Sequence, residues 1–209
     1  MDADRRVLFF GDSFVAGVGD PTGRGWVGHV VAASFEAGLP LVAYNLGVRR
    51  ETSVDVAARW LDEARPRMAE DACYGVVFGF GANDMTAEDG RVRVEPRRAV
   101  EVLGRVLDGA AQLGLPAFVV GPGPVGEQVQ DGRIRTLSAA FARVAAERDV
   151  AFVDVVDRLC ANADWTTEAA AGDGAHPGAG GYEALARLVL AAGWLDWLGA
   201  VHVASRRRP

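Results

Sequence analysis

Five short, predominantly apolar runs, separated by longer segments of helical character, constrain this chain more than anything else in it. They are Val7–Phe10, Leu41–Leu46, Gly75–Phe80, Pro116–Gly121 and Val150–Val155. None alternates polar with apolar residues, as a half-exposed strand does; each reads as a strand covered on both faces. Between them the apolar spacing changes to three and four. Val56, Trp60, Leu61 and Ala64 form one such stripe, Val100, Leu103, Leu107 and Ala110 another, and Leu137, Phe141 and Val144 a third. Strands of this kind alternating with helices predict a parallel sheet sandwiched between helix layers. Right-handed crossovers make this a single three-layer α/β domain of the flavodoxin-like type, with five parallel strands.

The expected helices run over Trp26–Glu36, Thr52–Met68, a stretch beginning near Pro96, a stretch around Leu137–Val144, and Gly178–Ala192. An irregular charged segment is expected before Pro96, and a long loop before Asp173. The 209 residues suffice for one sizeable core, taken as about residues 5–193 of a single domain spanning 1–209. Residues 194–209 are read as an appendage. Its apolar part, Trp194–Leu198, either folds back or contacts a second subunit, and Arg206–Arg208 is a solvated basic tail.

Composition excludes several classes. The net charge is −6 and the 22 basic residues, all arginine, are scattered, so no nucleic-acid partner is expected. No apolar stretch reaches the length of a membrane span. Asp2 and Asp4 stand where a secretion signal needs positive charge. Cys73 and Cys160 are too few for a disulfide framework and are read as reduced core residues, so the expected location is cytoplasmic. Three scattered histidines and two distant cysteines match no metal-ligand spacing, so neither metal nor cofactor is expected. The glycine-rich segment Ala16–Gly25 lacks the spacing of a phosphate loop, and Asp20 within it would repel a phosphate.

Ligands of parallel sheets bind beyond the carboxyl ends of the strands. There the chain reads Gly11-Asp12-Ser13-Phe14 after the first strand, Asn45-Leu46-Gly47 after the second, and Gly81-Ala82-Asn83-Asp84 after the third. Asp173-Gly174-Ala175-His176-Pro177 precedes the last helix. Together they supply a hydroxyl at a helix start, a small backbone donor, a neutral amide, and an acid three residues before an imidazole. These are the parts of acyl transfer by serine. Taken singly, Asp12 and Ser13 cap a helix, Gly47 ends a strand and Asn83 turns a loop.

With these four blocks in order, the chain resembles the SGNH (GDSL-type) hydrolase superfamily of lipases, esterases and thioesterases; Phe14 stands where leucine is frequent. The resemblance implies Ser13 as nucleophile, His176 as general base and Asp173 as its orienting acid. It implies an oxyanion hole made by the backbone N–H groups of Ser13 and Gly47 and the side chain of Asn83. Asp12 and Asp84 are expected to bond the local backbone, and Met85 and Trp165 are candidates to line an acyl pocket. His29 and His202, with no acid at useful spacing, are read as structural. The implied activity is hydrolysis of a small-molecule carboxylic ester of short acyl chain. Thioester hydrolysis and carbohydrate O-deacetylation are alternatives within the superfamily. A non-catalytic flavin-, nucleotide- or acyl-binding module is the alternative from another class.

Overall fold

The computed structural model describes residues 4–68 and 72–205, and side chains as far as Val201. The readings of His202 and of Arg206–Arg208 lie outside the described side chains. Five parallel strands form the sheet: β1 (Arg5–Gly11), β2 (Leu41–Gly47), β3 (Cys73–Gly79), β6 (Ala117–Val120) and β7 (Ala151–Val153), in the order β2-β1-β3-β6-β7. The intervening β4 (Ala87–Glu88) and β5 (Arg91–Val92) make a small antiparallel hairpin inside the segment expected to be irregular. Two-residue strands leave too little alternation to read from sequence.

Side chains of the central strands point alternately to two helix layers, and each layer carries its own aromatic cluster. On one face Phe10, Phe78 and Phe80 meet Trp60 of α3 (Ser53–Ala64) and Phe141 of α5 (Gln128–Ala146). Helix α4 (Pro96–Gln112) packs between those two. On the other face Phe9 and Phe118 meet Trp26 of α2 (Gly25–Glu36) and Trp194 of the last helix, α9 (Trp194–Ser205). Helix α8 (Ala179–Ala191) packs on α2.

The apolar C-terminal segment therefore folds back. Trp194, Leu198 and Val201 are fully buried. The indole N–H groups of Trp194 and Trp197 donate to Ser34 Oγ at 2.9 Å and to the carbonyl of Ala117 at 3.0 Å. Helix α3 stops four residues short of the expected Met68. Pro66 cannot continue an α-helix, and the chain tightens into a 3-10 turn over Arg65–Arg67. The loop expected before Asp173 holds two helices, α6 (Val156–Cys160) and α7 (Ala163–Ala171). Asn162 starts the second by accepting the Trp165 N–H at 2.8 Å. Cys73 and Cys160 are only half-buried, because each lies at the end of an element rather than within the core.

The carboxyl edge of the sheet is shaped by glycine. Gly11, Gly47 and Gly79 are paired in register across β2, β1 and β3. On this row sits α1 (Ser13–Ala16), a single helical turn. A Cβ on Gly47 would fall 2.8 Å from the carbonyl oxygen of Asp12 and collide with the Ala16 backbone; one on Gly79 would stand 3.0 Å from a Val15 methyl. Gly47→Ala is predicted to overpack this edge at a cost of roughly 1–3 kcal/mol. Thermal denaturation should show a lower Tm; an unchanged Tm would contradict the packing described.

Candidate active site

Ser13 is the first residue of α1, and Asp12 is its N-cap, with Oδ1 accepting the Phe14 N–H at 2.9 Å. The N–H of Asp12 donates to Gly79, and its carbonyl accepts from Ala16 at 3.1 Å. The turn is thus tied to β3 on one side and closed on itself on the other. His176 reaches over it from the loop between α7 and α8. Its Nε2 lies 2.8 Å from Ser13 Oγ, and its Nδ1 lies 2.7 Å from Asp173 Oδ2.

A carboxylate at hydrogen-bond distance keeps the ring proton on Nδ1, which leaves Nε2 as the acceptor facing the serine hydroxyl. Asp173 is locked by its own turn: Oδ1 accepts the N–H groups of Ala175 at 3.1 Å and His176 at 2.9 Å. Those backbone bonds, with the His176 ring, hold its carboxyl down at about 2. Arg49 Nη2 also approaches Asp173 Oδ2, at 3.3 Å. Phe14 supports the imidazole, its ring 5.3 Å from that of His176 and 5.4 Å from Trp165.

The three residues border a cleft of about 420 Å³, lined also by Arg49, Arg50, Asn83 and Gln130. Asn83 lies in a 3-10 turn over Asn83–Met85 and spends one amide proton on the carbonyl of Glu51 at 2.9 Å. The second proton remains for a ligand. The Ser13 N–H has no partner among the described residues.

Gly47 departs from its expected role. Its N–H donates to Asn45 Oδ1 at 3.1 Å, and the residue does not line the cleft. What requires glycine there is the close approach of α1. The loop after β2 presents Arg50 to the cleft instead, with φ +70°. That left-handed conformation costs a non-glycine residue about 1–2 kcal/mol. It is held by Arg93, whose Nη1 donates to the Arg50 carbonyl at 2.8 Å, while the Arg50 N–H has no partner among the described residues. An arginine in a left-handed turn carries no sequence signal.

Met85 is 1% exposed and lies beneath the surface, where the Arg133 guanidinium takes its carbonyl. It lines no part of the Ser13 cleft. Trp165 is likewise buried and borders a neighbouring cavity rather than this one. Asp84 reaches beyond its local backbone to Ser53, whose N–H and hydroxyl donate to its two carboxylate oxygens, pinning the start of α3 to the loop after β3. Arg59 was also not foreseen. Its guanidinium pairs with Glu51 and Glu63 and donates to the carbonyls of Leu46 and Gly11, bracing the loop after β2. His29 is half-buried on α2, away from the cleft lining. The amides of the glycine-rich segment are taken by Asp20, which accepts the N–H groups of Thr22, Arg24 and Gly25. No group of metal-ligating side chains occurs among the described residues, and no single helix there is long and apolar enough to cross a membrane.

A hydroxyl, imidazole and carboxylate in line at the edge of a three-layer α/β sheet are the fold and arrangement of an ester-hydrolysing enzyme. The model of the GDSL-like lipase/acylhydrolase family matches residues 9–184, and the chain belongs to that family. No curated protein matches it. Among solved structures, an acetylxylan esterase from Geobacillus stearothermophilus is similar with a TM-score of 0.76 and 20% identity, over 94% of this chain and 97% of that one. The lipase/acylhydrolase from Enterococcus faecalis is similar with a TM-score of 0.73 and 22% identity, over 90% and 95% respectively. At these identities the likeness is one of fold, the SGNH hydrolase fold.

Asp12, which is buried, and Asp173, which is partly exposed, set opposite pH dependences. Burial pushes the Asp12 carboxyl up to about 7 despite its bond to Phe14, and nearby Asp84 adds to the effect. An unfolded aspartate titrates near 3.8, so between that pH and about 7 the native state holds a proton that the unfolded chain has lost. Stability from this group therefore falls as pH rises through that window. Asp173 acts oppositely: its depressed carboxyl contributes stability that is lost as pH falls from about 3.8 towards 2. Asp12→Asn, which keeps the cap acceptor, is predicted to flatten the decline in stability between pH 4 and 7, read by denaturant titration at several pH values. An unaltered slope would contradict the assignment.

Proposed function

We propose that this enzyme hydrolyses carboxylic esters of short acyl groups through an acyl-enzyme on Ser13. The observation that carries the reading is the continuous line from Asp173 through His176 to Ser13, with contacts of 2.7 and 2.8 Å. His176 Nε2 takes the hydroxyl proton as Oγ bonds to the ester carbon, leaving negative charge on the former carbonyl oxygen. The Ser13 N–H, the free amide proton of Asn83 and the Arg50 N–H are the donors for that oxygen. The C–O bond to the alcohol then breaks, and the proton on Nε2 passes to the departing oxygen. Water, deprotonated by the same nitrogen, attacks the acyl carbon; the bond to Oγ then breaks, the proton on Nε2 returns to Oγ, and the acid leaves.

The cleft supports a short acyl group. Its side chains are mostly arginine, amide, hydroxyl and carboxylate, a poor lining for a long alkyl chain. The same hydrogen-bonding lining favours esters of polar alcohols, including O-acetylated carbohydrates, as the second reading. A nucleotide-binding role is disfavoured, because Asp20 occupies the amides that a phosphate would use.

Ser13→Ala should abolish turnover of p-nitrophenyl acetate, and full activity in that variant would refute the mechanism. Asn83→Ala is expected to lower kcat by roughly 100- to 1,000-fold. Arg50→Gly retains both the backbone N–H and the left-handed turn, so it should keep kcat within about threefold of wild type. A loss as large as that of Asn83→Ala would move the contribution of Arg50 from backbone to side chain.

A further inference from the structure

Beside the Ser13 cleft lies a second cavity of about 490 Å³, outside the catalytic line. Its walls come from the loop after β6, from α5, from the end of α6 and from α7, and Gly126 and Gly174 line both spaces. At this neck the two loops meet backbone to backbone: a Cβ on Gly126 would stand 3.0 Å from the Gly174 carbonyl oxygen. Gly126 has φ +78° and Gly174 φ +88°, so both loops turn sharply there and neither puts a side chain at the boundary between the two spaces.

We propose that this cavity is the subsite for the alcohol portion of the ester, and that it takes a neutral, ring-sized alcohol with hydrogen-bonding groups along one edge. The inference rests on the esterase reading and assigns the half of the substrate which that reading leaves open. Two observations carry it. First, none of the three oxyanion donors borders the second cavity, whereas Gly174 belongs to the loop that carries His176. The leaving oxygen must receive its proton from His176 Nε2, so the alcohol departs on the side of that loop.

Second, the lining has two characters. Pro124, Trp165 and Ala169 supply an apolar wall, while Gln128, Asp131 and Thr166 supply hydrogen-bonding groups. Asp131 spends Oδ1 on the Val125 N–H at 2.8 Å, leaving Oδ2 to accept from an alcohol. Among the described residues of the wall the one cation, Arg135, is already paired with Asp157 at 2.6 Å, which favours a neutral occupant over an anion.

Ala170 is an exposed residue of α7 on the cavity wall, where a larger side chain fills the space without entering the core. The test compares wild type, Ala170→Trp and Ala170→Ser on methyl acetate, on the monoacetate of cis-1,2-cyclohexanediol, and on methyl esters from acetate to hexanoate. Ala170→Trp should lower kcat/KM for the cyclohexanediol ester by about tenfold or more while holding methyl acetate within about twofold. It should leave the ratios along the acid series unchanged, and Ala170→Ser should resemble wild type.

Binding of cis-1,2-cyclohexanediol itself, followed by saturation-transfer NMR, provides a readout independent of turnover: signal in wild type, lost in Ala170→Trp. An equal loss on both acetates, a loss confined to the longer acids, or diol binding indifferent to Ala170→Trp would overturn the subsite. Failure of wild type to hydrolyse any of these esters, with diol binding still blocked by Ala170→Trp, would overturn the esterase reading and keep the binding site.

Discussion

Three glycines at the same level of three neighbouring strands let a single helical turn rest directly on the carboxyl edge of the sheet. Everything at the site depends on that contact. With Cβ atoms at Gly11, Gly47 and Gly79, the turn Ser13–Ala16 could not sit where Asp12 both caps it and bonds β3. Lifted from the edge, Ser13 would leave the reach of His176, whose loop is anchored independently by Asp173, α7 and α8. The fold thus supplies two rigid supports, and chemistry becomes available where they approach within one hydrogen bond.

The charge pattern follows from the same crowding. Asp12 and Asp84 are buried because they tie the strand ends to α1 and α3, and burial favours their protonated forms. Asp173 sits nearer to solvent, in a turn that aims the Ala175 and His176 amides at it, and stays ionised. Two kinds of carboxylate therefore stand near one serine, and Asp173, with its amide and imidazole partners, is the one whose ionised form the fold favours.

Much of this was legible in the sequence because continuous apolar runs and glycine-ended strands leave few packing choices. The five strands and their parallel direction follow from those runs, and the serine–imidazole–carboxylate grouping from the family resemblance that the four motif blocks carry. What escaped had no periodic or compositional mark. The β4–β5 hairpin is two residues per strand, and α6 and α7, of five and nine residues, are too short to show a helical period. Gly47 was read as a donor because a glycine at a strand end suits either a close ligand or a close backbone; here the backbone of α1 fills the space. Arg50 gave no hint of a left-handed turn, since that conformation is imposed by Arg93 from a distant loop. Met85 and Trp165 were drawn to the site by their nearness in sequence, but a 3-10 turn points one inward and α7 carries the other to the neighbouring cavity.

The most direct measurement is covalent labelling by a fluorophosphonate, with the modified peptide mapped by mass spectrometry in wild type and in His176→Ala. Labelling confined to Ser13, and slowed by roughly 100-fold or more without the imidazole, is the predicted result. Labelling at another residue, or at Ser13 with an unchanged rate in His176→Ala, would contradict the proposal that these two side chains act as one unit.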